Sequence, residues 1–129
     1  MKHLVIFALA VALALAPLTA LADKTFTGTR QGRWDCAKEP NVHILHGEGS
    51  YVFKGNCNVI TVEGGNNQLV IEAVDALRIV GGNNTIDVGT LDSATIIGAH
   101  NTLTWKRARS GDQPQISAIG ADNKVGQSR

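Results

Sequence analysis

One motif returns along this chain at a fixed interval, and it restricts the available folds more than any other feature. Gly64-Gly65-Asn66-Asn67-Gln68-Leu69-Val70-Ile71 is followed seventeen residues later by Gly81-Gly82-Asn83-Asn84-Thr85-Ile86-Asp87-Val88. Seventeen further stands Gly98-Ala99-His100-Asn101-Thr102-Leu103-Thr104-Trp105. A fourth copy, Gly120-Ala121-Asp122-Asn123-Lys124-Val125, follows after 22, so that interval carries five extra residues. A degenerate copy starts at Gly47, seventeen before Gly64, with Ser50 where the asparagine is expected. Self-similarity at one short period is the signature of a stacked repeat.

Between the motifs, apolar and polar residues alternate as in half-buried strands. Seventeen-residue spacing sorts the apolar ones into columns: Val52, Leu69, Ile86, Leu103 and Val125; Ile71, Val88 and Trp105; Ile60, Leu77 and Ala94; Leu45, Val62, Ile79 and Ile96; and Cys57, Val74 and Leu91 between them. The same spacing puts His43 in the Ile60 column and His46 beside Glu63 in an outward one. A further outward column, Glu63, Val80, Ile97 and Ile119, turns apolar towards its end. Like residues in columns mean that equivalent positions lie over one another, each strand paired in parallel with its copy about 4.8 Å away. A sandwich or barrel of hairpins uses similar turn residues. Its neighbouring strands run in opposite directions, however, and have no reason to repeat residue for residue. The expected fold is therefore all-β, a short parallel β-solenoid with ~17-residue rungs.

The turn residues have a physical reason for their identity. Reversing the chain in few residues favours positive φ, which Gly and Asn tolerate best. Gly64, Asn67, Gly81, Asn84, Gly98, Asn101, Gly120 and Asn123 read as a structural turn ladder, with stacked amides hydrogen-bonded along it. The rival reading is an amide-lined binding strip.

The chain opens with Lys2 and His3, an apolar run from Leu4 to Ala16, Pro17, and Ala20-Leu21-Ala22. That is the pattern of a signal peptide cleaved after Ala22, too short for a comfortable membrane span. The organisation expected is signal peptide over 1–22, an N-terminal cap over 23–40 with Phe26 and Trp34 covering the first rung, and a solenoid repeat domain over 41–129. Export to a bacterial periplasm or the exterior follows. In such a compartment the even pair Cys36 and Cys57 reads as a disulfide; metal ligation or free thiols are the other readings. The two lie one rung plus four residues apart, which suits a bridge pinning the cap to the stack. At the far end Lys124, Gln127, Ser128 and Arg129 give a polar edge that opposes polymerisation.

The runs Gly-Gly-Asn-Asn-Thr-Ile, Val74-Asp75-Ala76-Leu77, Asn101-Thr102-Leu103-Thr104-Trp105-Lys106, Pro114 and Gly120-Ala121-Asp122-Asn123 resemble the bacterial DUF3060 family. The cysteine pair with Val42 and Ile44 between is similar to that family's opening. The resemblance spans roughly Cys36 to Gln127. It implies an exported β-solenoid and brings no activity, ligand or catalytic residue with it.

Little in the sequence points to catalysis. Without Lys2, eleven basic residues face eleven acidic ones, so nothing draws the chain generally to nucleic acid. Asp75 and Asp92 stack, but two carboxylates fall far short of the six to eight oxygens Ca²⁺ takes. His43, His46 and His100 lack a zinc spacing, and neither a nucleophile motif nor a phosphate loop is present. No catalytic residue, metal or cofactor is expected. The irregular interval after Trp105 is the best candidate for function: Trp105, Lys106, Arg107 and Arg109 set three cations beside an indole, suited to an anionic glycan or lipid head group. The first expectation is an exported non-catalytic module with a structural or interaction role, its partner an envelope component or another protein. Binding through the 105–109 segment is the second, and a small enzyme of unknown class the third.

Overall fold

The structure is a computed structural model that describes residues 23–28 and 30–128; the expected signal segment lies outside them. The described residues form nine strands and no helix: β1 (Lys24–Phe26), β2 (Gln31–Asp35), β3 (Asn41–Ile44), β4 (Ser50–Glu63), β5 (Gln68–Val80), β6 (Thr85–Ile97), β7 (Thr102–Ala108), β8 (Gln115–Ile119) and β9 (Lys124–Gln127). Every pairing is parallel. The chain is a β-solenoid of about six turns. In the middle turns one long strand makes the whole rung: β5 runs from Gln68 to Ile71, bends at a corner around Ala73–Asp75, and returns from Ala76 to Val80. Among the described residues no helix is long and apolar enough to cross a membrane.

From Asn56 to Arg109 the seventeen-residue register holds. Leu69 stacks on Ile86 and Leu103, Leu77 on Ala94, Ile79 on Ile96, and the corner residue Cys57 on Val74 and Leu91. All of these side chains are buried. Upstream the offset is eighteen for β1 on β3, β3 on β4 and the first half of β4 on β5, and nineteen for β2 on β4. Tyr51 and Phe53, rather than Val52, stack on Leu69 and Ile71, and Val42 and Ile44 stack on Ile60 and Val62. The extra residue sits at Gly55, which has φ of 79° and whose N–H donates to Glu72 Oε2 at 2.8 Å. A one-residue bulge moves every upstream side chain to the opposite face. Val52 and Leu45 are therefore exposed, 42% and 44%, against 1% for Tyr51. His43 leaves the core and meets Asp23 at 3.3 Å, and His46 pairs with Gly64 in the turn rather than with Glu63.

Positive φ occurs at two positions of each turn. The glycines Gly64, Gly81, Gly98 and Gly120 lie at 150°, 146°, 140° and 127°, and the residues before the ladder asparagine, Asn66, Asn83, His100 and Asp122, lie near 60°, a region that Asn, Asp and His enter more readily than other side chains. Asn67, Asn84 and Asn101 are fully buried instead. The N–H of Asn67 donates to Asn84 Oδ1 at 3.0 Å, that of Asn84 to Asn101 Oδ1 at 3.1 Å, and that of Asn101 to Asn123 Oδ1 at 3.1 Å. Their Nδ2 groups bond His46 O, Gly64 O and Gly81 O of the rung before, at 2.9, 3.0 and 2.9 Å. Gly49, not Ser50, occupies this column in the degenerate copy, its N–H donating to Asn67 Oδ1. The glycine column is sterically fixed. A Cβ on Gly64 would lie 2.6 Å from His46 O, and one on Gly81 would run into Gly64 O.

The segment expected to be a separate cap is itself a rung. β1 pairs with β3 and β2 with the first half of β4. Phe26 packs between Trp34, Tyr51 and Phe53, with ring centroids 5.3–6.4 Å away, and Lys24 Nζ lies 4.6 Å from the Trp34 ring. Cys36 and Cys57 form a disulfide across this end, Cα atoms 5.0 Å apart. A buried disulfide of this kind belongs to an oxidising, exported environment.

Candidate functional site

The inserted residues are located by register. β6 and β7 keep the seventeen-residue spacing through Leu91 and Ala108, and Arg109 N still donates to Leu91 O; β8 resumes at twenty-two, Ser93 over Gln115. The insertion is thus Ser110-Gly111-Asp112-Gln113-Pro114, and Lys106, Arg107 and Ala108 continue β7.

The four residues read from sequence as an anion site fall into three settings. Trp105 points inward in the Val88 column and is 6% exposed. Lys106 and Arg107 are exposed. Both line a shallow recess with Lys54, Glu72 and Asp87, so three cations and two carboxylates meet there. Arg109 folds back over the corner, with Nε 2.8 Å from Asp75 Oδ1 and Nη2 donating to Asn56 Oδ1 at 3.2 Å. It crosses the rung of Asp92 to reach a carboxylate two rungs away, which braces the base of the inserted loop. At this exposure the ion pair contributes less than about 1 kcal/mol; its effect is to fix direction. The Asp75–Asp92 column, in which sequence spacing stacks two carboxylates, is therefore half occupied by this guanidinium. The partners are 34 residues apart, two rungs of seventeen, so spacing puts Arg109 in the Asp75–Asp92 column; what spacing does not show is that the guanidinium passes Asp92 to reach Asp75.

The other titratable groups are dispersed. His100 Nδ1 lies 3.8 Å from Asp122 Oδ2 at the turn, far along the stack from the His43–Asp23 pair. Among the described residues no three His, Cys, Asp or Glu side chains gather to hold a metal ion.

The two ends of the stack differ. The aromatic cluster and Lys24 cover the first. At the second, a recess of about 470 Å³ is lined by Trp105, Ile116, Ala118 and Val125, with Gln113 and Pro114 of the inserted loop at its rim. Ile119 is 59% exposed and Val125 38%. Among the described residues β8 and β9 each pair on one side only, as do β1 and β2 at the first end. Lys124 N and Ser128 N donate back to Asn101 O and Trp105 O, so strand alternation turns the N–H and C=O groups of Val125 and Gln127 outward along the stack axis. Ile119 O accepts from Gly98 N, and by the same alternation Ile116 and Ala118 present theirs outward. Val125 and Ile116 continue the Leu103 and Ala94 columns, and among the described residues none is stacked beyond them. No family model, no curated protein and no solved structure matches the chain.

Proposed function

We propose that this protein is an exported, non-catalytic β-solenoid module with a structural or interaction role in the cell envelope, in the periplasm or outside the cell, and that it makes its contact through the end face of β8 and β9. The observation that carries the reading is the second end, where among the described residues β8 and β9 pair on one side only beside a recess lined by Trp105, Ile116, Ala118 and Val125; β1 and β2 at the first end also pair on one side only, but there Lys24 and Lys38 stand against the aromatic rings. The polar residues that define the repeat support it too, since the buried asparagines and the Arg109–Asp75 pair are spent on holding the stack. Membership of the DUF3060 family is part of the proposal, resting on the repeated Gly-x-x-Asn motif and the cysteine pair.

A second reading keeps Lys106 and Arg107, the two cations of the 105–109 segment left exposed, as contacts for an anionic glycan or lipid head group. The two are separated by adding the protein to isolated bacterial envelopes. Saturable retention that tolerates salt and falls with Ala118→Glu is the expected result. Retention that disappears in salt and with the paired Lys106→Ala and Arg107→Ala substitutions supports the head-group reading, and no retention at all refutes both.

A further inference from the structure

Parallel pairing puts Arg33, Val52, Val70 and Asp87 in one outward column, and Lys54, Glu72, Gly89 and Lys106 in the next. Three recesses meet at Val52 and make this surface continuous. Val52 and Val70 stack on each other as its floor, 42% and 53% exposed. The longer side chains of Gln68, Lys54 and Glu72 flank them. Gly89 leaves the wall open between Glu72 and Lys106, and a Cβ there would run into Glu72 O, so no larger residue fills the gap. We propose that this trough binds a linear acidic polysaccharide, laid from Arg33 and Lys54 at the first end to Lys106 and Arg107 beside the inserted loop. The site rests on the second reading above for its far end, and is separate from the face of β8 and β9.

Charge complementarity identifies the occupant. Of the eleven cations and eleven carboxylates in residues 23–129, five cations and three carboxylates line these recesses, so positive charge gathers here on an otherwise balanced chain. All three carboxylates are already engaged. Asp35 accepts from Ala37 N at 3.0 Å and faces Lys54 Nζ at 3.8 Å, Glu72 accepts from Gly55 N at 2.8 Å, and Asp87 accepts from Thr104 Oγ1 at 3.2 Å. Among the described residues the head groups of Arg33, Lys106 and Arg107 make no hydrogen bond or ion pair. Unpaired cations beside satisfied carboxylates call for an anionic partner, and guanidinium groups match carboxylate or sulfate oxygens in pairs. Spacing decides its form. Lys54 and Lys106 stand three rungs apart and Arg33 and Lys106 four, about 14 and 19 Å at ~4.8 Å per rung. A single head group reaches one of these clusters only, and a bilayer surface is held off the valines by the longer side chains around them. A sugar chain with repeated anionic groups spans both clusters and sets the C–H faces of its rings on Val52 and Val70. Extended faces of stacked repeats suit such a partner.

The test is native electrophoresis of the purified chain through gels carrying polygalacturonate, dextran sulfate or uncharged dextran. Retardation by an acidic polymer and not by dextran is expected, and the two acidic probes tell carboxylate from sulfate. Arg33→Ala should weaken binding roughly tenfold, as should Lys106→Ala combined with Arg107→Ala. Val70→Glu sets an acid on the exposed floor and should abolish binding while circular dichroism stays unchanged. Arg78→Ala removes an exposed cation from the returning half of the rung and should change nothing. No retardation by either acidic polymer overturns the proposal, as does equal retardation by dextran. Loss of binding with the Lys106 and Arg107 pair but not with Arg33→Ala or Val70→Glu also overturns it and leaves the second reading standing. Binding to phosphatidylglycerol vesicles without retardation by either polymer does the same. Ala118→Glu should leave polymer binding intact, so the end-face reading is decided separately.

Discussion

Replacing Asn84 by alanine tests whether the buried amides hold the stack. Asn84 is fully buried and takes part in five hydrogen bonds, its carbonyl accepting one from Thr102 N. Its Oδ1 accepts from Asn67 N, and its Nδ2 donates to Gly64 O and Asn101 Oδ1. Alanine keeps the backbone donation to Asn101 Oδ1 but strands the Asn67 N–H and the Gly64 carbonyl. An unsatisfied buried polar group costs about 1–3 kcal/mol, so two of them give roughly 2–5 kcal/mol, a large share of the ~5–15 kcal/mol that holds a typical domain. The neighbour Asn83 supplies the control: it is exposed, its φ is 59°, and Asn83→Ala loses only about 1–2 kcal/mol through left-handed strain. Asn84→Asp adds a sign. It sets a carboxylate oxygen against Gly64 O and Asn101 Oδ1, so the folded carboxyl should titrate above the ordinary ~3.9. The unfolded chain then ionises first, and this variant's stability relative to the parent is greatest below about pH 4 and falls as pH rises through that range. Denaturant unfolding at several pH values reads all three. Asn84→Ala costing no more than Asn83→Ala would falsify the reasoning.

Two other expectations follow from the sealed end. Cys57 shares its column with Val74 and Leu91, so Cys57→Val combined with Cys36→Ala should fold but lose about 2–4 kcal/mol in denaturant, and reduction of the parent should do the same; an unchanged midpoint would show that the bridge adds nothing. Burial pushes the Tyr51 phenol up from its ordinary value, and it is the sole tyrosine, so its ultraviolet titration should have a midpoint above 10.0 in the folded protein. Above that pH the unfolded chain ionises first and stability falls; a midpoint at or below the ordinary value refutes the placement of Tyr51 in the core.

The fold was legible because stacking makes sequence and space share one period. Wherever seventeen residues separate equivalents, from Asn56 to Arg109, columns read from sequence are columns in the structure; the disulfide between Cys36 and Cys57, 21 residues apart, was legible from the even cysteine pair of a chain expected to be exported. What failed, failed at a break in the period. A single residue at Gly55 reverses the faces upstream, so Val52, Leu45 and His43 were assigned inward and Tyr51 was overlooked. Alternation alone cannot detect this, because Tyr51-Val52-Phe53 is apolar on both faces. The candidate site was half legible. The five-residue insertion was visible, but its limits depended on knowing that Lys106, Arg107 and Ala108 still pair with β6. The pairing of Arg109 with Asp75 depends on a side chain reaching past one rung, which no period encodes.

The unbroken register between the Gly55 bulge and the inserted loop makes the length of the molecule adjustable. A duplicated seventeen-residue segment starting at Ala73 would find the same neighbours above and below, extend the amide ladder by one member, and move the disulfide-bound end away from the open end by one step of about 4.8 Å. Deleting one would shorten it by the same step. The chain is in effect a spacer graduated in single rungs, with its two irregularities marking where the scale begins and stops.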